Sequence, residues 1–166
     1  MDTLNETLLL TLWCHSTKFI DKFKSSLLNL YLINIPFNKI NEEIIEKMIE
    51  MENITALERV YKIKKELITK INVDDLSQKG KLKIIKWVLE KSKTDNLEFI
   101  YSEDAVNNAA ENGHLKIIEW FWEKKSKTDN LIFNYSEMAI NNAAKNGHLN
   151  IIEWFWEKSK TENLRF

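Results

Sequence analysis

What constrains this chain most is a stretch of sequence that it repeats. Ala109-Ala110-Glu111-Asn112-Gly113-His114-Leu115-Lys116-Ile117-Ile118-Glu119-Trp120-Phe121-Trp122-Glu123-Lys124 returns as Ala143-Ala144-Lys145-Asn146-Gly147-His148-Leu149-Asn150-Ile151-Ile152-Glu153-Trp154-Phe155-Trp156-Glu157-Lys158. A worn copy stands earlier, as Gly80-Lys81-Leu82-Lys83-Ile84-Ile85-Lys86-Trp87-Val88-Leu89-Glu90-Lys91. Gly80 and Gly113 are 33 residues apart, and Gly113 and Gly147 are 34 apart. A fixed period in this range marks units that stack, each covering its neighbour's apolar flank.

The 166 residues are 44% hydrophobic and 30% charged, ordinary values for a folded chain with a core. A formal net charge of -1 offers no field to gather nucleic acid or an anionic membrane. Arginine, the usual reader of phosphates and bases, is present only as Arg59 and Arg165, which weighs further against nucleic acid. Cys14 is the only cysteine, so no intrachain disulfide forms, as expected of an intracellular protein. Asp2 and Glu6 precede the first apolar run, where a signal peptide would be basic. No apolar run reaches the roughly 20 residues of a membrane span, so no membrane role is expected.

Thr3 and Glu6 have capping-box spacing, which predicts a helix from about Leu4. Ser16 or Thr17 can cap a second, carrying Phe19, Ile20, Phe23, Leu27, Leu30 and Tyr31 at helical spacing up to Pro36. Residues 1–40 therefore read as an N-terminal helical cap. Asn41-Glu42-Glu43 starts a further helix with Ile44, Ile45, Met48 and Ile49 on one stripe. After a break at Asn53, Leu57, Val60, Ile63, Leu67 and Ile68 form another. Laid on the later copies, Asn53 falls where Gly113 sits, so 41–70 reads as a degenerate unit. Three clearer units follow, at 71–101, 102–135 and 136–166. In the last two, Ser102 and Ser136 cap a short first helix, Ala109-Ala110 and Ala143-Ala144 admit a close neighbour, and Gly113 and Gly147 turn the chain. The second helix carries Leu115, Ile118 and Trp122 on one line and Ile117 and Phe121 on the next, a stripe wide enough to need cover on more than one side. The polar stretch Ser126-Lys127-Thr128-Asp129-Asn130 links to the next unit.

A short helix with Ala-Ala, then x-Asn-Gly-His-Leu, then Ile-Ile, every 33 to 34 residues, resembles the ankyrin repeat. The family's Thr-Pro-Leu-His opening is missing. Asp104-Ala105-Val106-Asn107 and Met138-Ala139-Ile140-Asn141 stand there, with Asn107 and Asn141 as partial substitutes for the residues that tie neighbouring turns. The Trp-bearing second helix and the Lys, Asn and Ile bias look like the divergent ankyrin proteins of giant DNA viruses of amoebae, which implies a host-cytoplasm setting. The resemblance implies an all-α, ankyrin-like helix-turn-helix repeat solenoid, no cofactor, and binding of other proteins. It places partner contacts at the loop tips Tyr101, Glu103, Tyr135 and Glu137. It places others before the turns, at Gln78, Lys79, Glu111, Asn112, Lys145 and Asn146. Tyrosine suits such tips because it brings area and a hydroxyl at small entropic cost; packing on the next unit's loop is the competing reading for both tyrosines.

No enzyme signature emerges. Cys14 and His15 are sequence neighbours, which point different ways on a helix. Three glycines do not build a phosphate loop. His15, His114 and His148 lack the converging fourth ligand and paired spacing of a zinc site, and the two turn histidines read as backbone-bonding residues. Trp87, Trp120 and Trp154 hold one slot in successive units. They form either a core seam, with Trp122 and Trp156 deeper still, or a platform for single-stranded bases. The last unit keeps the internal unit's apolar letters where a terminal one is normally polar, so Ile151, Trp154 and Phe155 are expected on a contact face. A second copy, a partner protein or further units of a longer array would cover it.

Overall fold

The computed structural model describes residues 18–65, 70–125, 131–162 and 164, and among them all regular structure is helical. The helices are α1 (Lys18–Asn34), α2 (Glu42–Glu50), α3 (Ile54–Tyr61), α4 (Val73–Gln78), α5 (Leu82–Thr94), α6 (Asp104–Glu111), α7 (Leu115–Lys125), α8 (Glu137–Lys145) and α9 (Leu149–Glu162), with a 3-10 turn at Phe37–Lys39. The helix expected from about Leu4, the capping residues Ser16 and Thr17, Leu67 and Ile68, and the stretch 126–130 lie outside the described residues. The chain divides into two compact units between Ile71 and Asn72.

In the first unit, α1, α2 and α3 enclose Leu32, Ile35, Ile45, Met48, Ile49, Leu57 and Val60. The expected boundary between residues 40 and 41 falls inside this unit. Asn41 caps α2 by accepting from Ile44 N at 3.0 Å, with Glu42 and Glu43 at the positive end of the helix dipole. Asn53 does more than cap α3. It accepts from Ala56 N at 3.0 Å and donates to Asn29 O and Oδ1 at 3.2 and 2.9 Å. The Arg59 guanidinium closes the end of α1, donating to Ile33 O at 2.9 Å and Ile35 O at 2.6 Å and lying 4.1 Å from the Phe37 ring centre. Two expectations fail here. Leu30 is 58% exposed, off the buried face of α1, and Ile63 is 57% exposed because α3 ends at Tyr61, before reaching it.

The turn between α2 and α3 is the same as the turns of the later copies. Glu52 takes a left-handed φ of 49°. Its N–H reaches Ile49 O at 2.9 Å, and Asn53 N reaches Met48 O at 2.8 Å. At Gly113 the φ is 78°, with Gly113 N to Ala110 O at 3.3 Å and His114 N to Ala109 O at 2.8 Å. This pair of bonds is the Schellman helix end. Glu52, not Asn53, is thus the counterpart of Gly113, and the degenerate unit is displaced by one residue from the expected alignment.

The second unit contains three helix pairs, α4–α5, α6–α7 and α8–α9. First helix α6 lies between α4 and α8. Ala105, Val106, Ala109 and Ala110 are wholly buried, because only small side chains let the backbones on both sides come close. The second helices supply Ile84, Ile85, Ile117, Ile118, Phe121, Ile151 and Phe155 to the core. The segments leading into α6–α7 and α8–α9 pack aromatic side chains on those pairs. Phe99 lies 6.5 Å from Trp120 and Tyr101 lies 5.1 Å from Phe121. Phe133 and Tyr135 repeat this on Trp154 and Phe155 at 6.1 and 5.1 Å.

Candidate functional site

Adjacent pairs are clamped at both ends of their first helices. At one end, Ser102 N donates to Asp74 Oδ1 at 3.0 Å and Ser102 Oγ to Asp74 Oδ2 at 2.8 Å. One unit on, Ser136 N donates to Asn107 Oδ1 at 3.1 Å and Asn107 Nδ2 to Ser136 Oγ at 3.0 Å. Asn107 is 2% exposed, and it does tie neighbouring units, whereas Asn141 is exposed. At the other end the turn histidines reach back. His114 Nε2 stands 3.0 Å from Gln78 O and His148 Nε2 stands 2.9 Å from Glu111 O. A carbonyl only accepts, so Nε2 carries the proton in both. Asn146 Nδ2 also donates to Glu111 O, at 2.9 Å.

Each imidazole lies against the preceding turn glycine. A Cβ on Gly80 would come within 2.7 Å of His114 Cε1, and one on Gly113 within 2.8 Å of His148 Cε1, but one on Gly147 would meet nothing within 4 Å among the described residues. Glycine is required twice over at Gly113, by the left-handed φ and by the ring it receives.

These clamps sort the expected contact residues. Gln78, Lys79, Glu111, Asn112, Lys145 and Asn146 are exposed beside the turns. The Glu111 carboxylate accepts from Asn142 Nδ2 at 3.3 Å, and Asn112 Nδ2 donates to Asn108 O in its own helix. Glu103 and Glu137 are exposed at the loop tips. Tyr101 and Tyr135 are half-buried, and Tyr101 Oη donates to Ile132 O on the next segment at 2.8 Å. For Tyr101 that is the packing reading. Burial pushes its phenol above the ordinary value of 10.0.

The expected apolar end face needs correcting. Ile151 and Phe155 are 0% exposed, held in the core with Tyr135 on the Phe155 ring, and Trp154 is half-buried against Trp122 and Phe133. Met138, Leu149 and Trp156 are exposed instead, at 53%, 62% and 49%. Trp156 is therefore shallower than Trp122, not deep. Trp87 and Trp120 are 4% and 5% exposed, so their faces are closed to bases. Among the described residues no His, Cys, Asp or Glu side chains gather into a group able to hold a metal, and no helix is long and apolar enough to cross a membrane.

The residues that sequence reasoning missed are Ile100 and Ile132, 70% and 73% exposed. They stand on the segments 97–101 and 131–135, which have no regular secondary structure and whose aromatic side chains pack on the helices. Burial alternates along Phe99-Ile100-Tyr101 and Ile132-Phe133-Asn134-Tyr135. Between the segments runs an open groove of about 690 Å³, lined by Leu89, Leu97, Phe99, Leu131 and Ile132 together with Lys93 and Glu98. No family model matches this chain, and no curated protein or solved structure matches it either.

Proposed function

We propose that this chain is a non-catalytic protein-binding module, an ankyrin-like solenoid whose connecting segments meet the partner. The observation that carries this reading is the pair of exposed isoleucines on segments anchored from behind. Ile100 and Ile132 are 70% and 73% exposed, while Phe99, Tyr101, Phe133 and Tyr135 pack on helices α7 and α9. The Tyr101–Ile132 hydrogen bond links one segment to the next. Burying an isoleucine is worth about 1.5–3 kcal/mol, and a segment already ordered loses little entropy when a partner covers it. Leu97 extends the apolar strip, and Glu103 and Glu137 supply an acidic rim.

The test is photo-crosslinking in a lysate of the source cell, with the label at Ile132 and a control label at exposed Lys116. The expected result is a protein adduct at Ile132 that Ile132→Asp abolishes in an otherwise folded chain. Equal labelling at both positions, or an adduct that nuclease treatment removes, would overturn the reading.

A further inference from the structure

We infer that the outer face of α8–α9 is a docking site for one more helix pair of the same kind, carrying a serine ahead of its first helix and a histidine after its turn glycine. The inference stands on the clamps between units and is independent of the loop surface. Each junction uses three receptors on the earlier pair: a short polar side chain, a carbonyl before the turn, and an open glycine. Asp74, Gln78 O and Gly80 receive Ser102 and His114. Asn107, Glu111 O and Gly113 receive Ser136 and His148. The third set is Asn141, Lys145 O and Gly147, where Asn141 is exposed and the Cβ position of Gly147 has no atom of the described residues within 4 Å. The flanking residues agree. Ala144 is exposed where its counterpart Ala110 is 0% exposed, and Trp156 is 49% exposed where Trp122 is 8%. Leu149 is 62% exposed where its counterpart Leu115 is half-buried.

The receptors define the occupant. A histidine edge fits over Gly147 with its Nε2–H toward Lys145 O, and a serine N–H and Oγ fit Asn141. A second copy of this chain does not supply that pair, because both of its serine–histidine sets already hold its own junctions. In its first pair, Lys81 stands where the histidine would be.

The experiment extends the full chain by a second copy of residues 134–166 placed directly after Phe166. Leu131-Ile132-Phe133 and Leu164-Arg165-Phe166 keep the join in register. The expected result is a thermal midpoint several degrees above that of the unextended chain. Gly147→Ala should lower the unextended midpoint by the cost of the left-handed backbone alone, and lower the extended midpoint by more, removing most of the gain from extension. Replacing the appended histidine by alanine should then restore part of that gain, which separates a steric clash from general misfolding. No gain on extension, or an equal Gly147→Ala shift in both chains, would overturn the inference. So would light scattering that shows the unextended chain as a dimer which Trp156→Glu separates, since a second copy would then hold the face.

Discussion

Gly113 and Gly147 occupy the same turn with the same backbone, at φ 78° and 77°, yet alanine should cost more at the first. At either site the left-handed backbone costs alanine about 1–2 kcal/mol. Only at Gly113 does the new methyl meet a ring, with His148 Cε1 at 2.8 Å and Nδ1 at 2.9 Å. No real Cβ contact is that short, so the imidazole must swing away and release Glu111 O. A hydrogen bond of this kind is worth about 0.5–1.5 kcal/mol net. The carbonyl keeps its second donor, Asn146 Nδ2 at 2.9 Å, so the loss does not reach the top of that range and is about 1 kcal/mol. Gly113→Ala should therefore destabilise by about 2–3 kcal/mol and Gly147→Ala by about 1–2 kcal/mol. The difference corresponds to about 2–4 °C in Tm for a chain of this size. Urea unfolding followed by circular dichroism measures both. A double-mutant cycle with His148→Ala isolates the ring contact, and a coupling of about 1 kcal/mol is expected. Equal costs at the two glycines, or a coupling of zero, would refute the clamp as the reason for glycine at this position.

Asn107→Ala leaves Ser136 N and Oγ without their buried partner, and should cost about 1–3 kcal/mol in thermal unfolding. Asn141→Ala, at the exposed counterpart, should stay within about 0.5 kcal/mol. Arg59→Lys replaces a planar donor shared between Ile33 O and Ile35 O with a point charge. It should speed hydrogen exchange in the last turn of α1 and cost about 1–2 kcal/mol. Tyr101 binds its proton more tightly in the folded chain than its ordinary value of 10.0 implies. The stability from this raised value is intact below pH 10 and is lost as pH climbs through the folded value. Melting curves above pH 10 should therefore fall less steeply for Tyr101→Phe than for the parent, and a spectrophotometric phenol titration checks the direction.

The period, the turn glycines and the apolar letters behind them were legible because each follows from local rules. Glycine marks left-handed backbone, and a helix buries every third or fourth side chain. Glu52 was not legible, since a non-glycine residue with φ 49° leaves no letter for the turn that it makes. Its neighbour Asn53 drew the alignment one residue off, being the better-known helix cap. Trp122 and Trp156 show a second limit. They are one letter in one slot, yet 8% and 49% exposed, because a residue's identity does not say what lies beside it. The same blindness put Ile151 and Phe155 on an outer face, when helical spacing turns them toward the core. Ile100 and Ile132 were missed for a third reason. Burial alternates around them, so the aromatic residues face the helices and the isoleucines beside them face outward.

The clamps also hold adjacent helix pairs of the second unit together without a Thr-Pro-Leu-His sequence. The first junction uses a carboxylate: Asp74 accepts from both Ser102 N and Oγ, and Ser102 Oγ in turn accepts from Asp104 N at 3.0 Å at the start of α6. The second is neutral: Asn107 accepts from Ser136 N and donates to Ser136 Oγ. A serine hydroxyl can do either, because it rotates to donate or accept. The conserved element is therefore a geometry, two atoms of one serine facing one short polar side chain, and the acid and the amide are interchangeable ways to meet it. Asp74→Asn should then keep the first junction with its amide in the Asn107 orientation, at little cost in stability. Asp74→Ala removes both bonds, but Ser102 is exposed and water reaches its donors, so it should cost about 0.5–1.5 kcal/mol. If the two variants proved equally damaging, charge and not shape would be holding the helix pairs in step. The rigid backing argued for Ile100 and Ile132 would then weaken with rising salt.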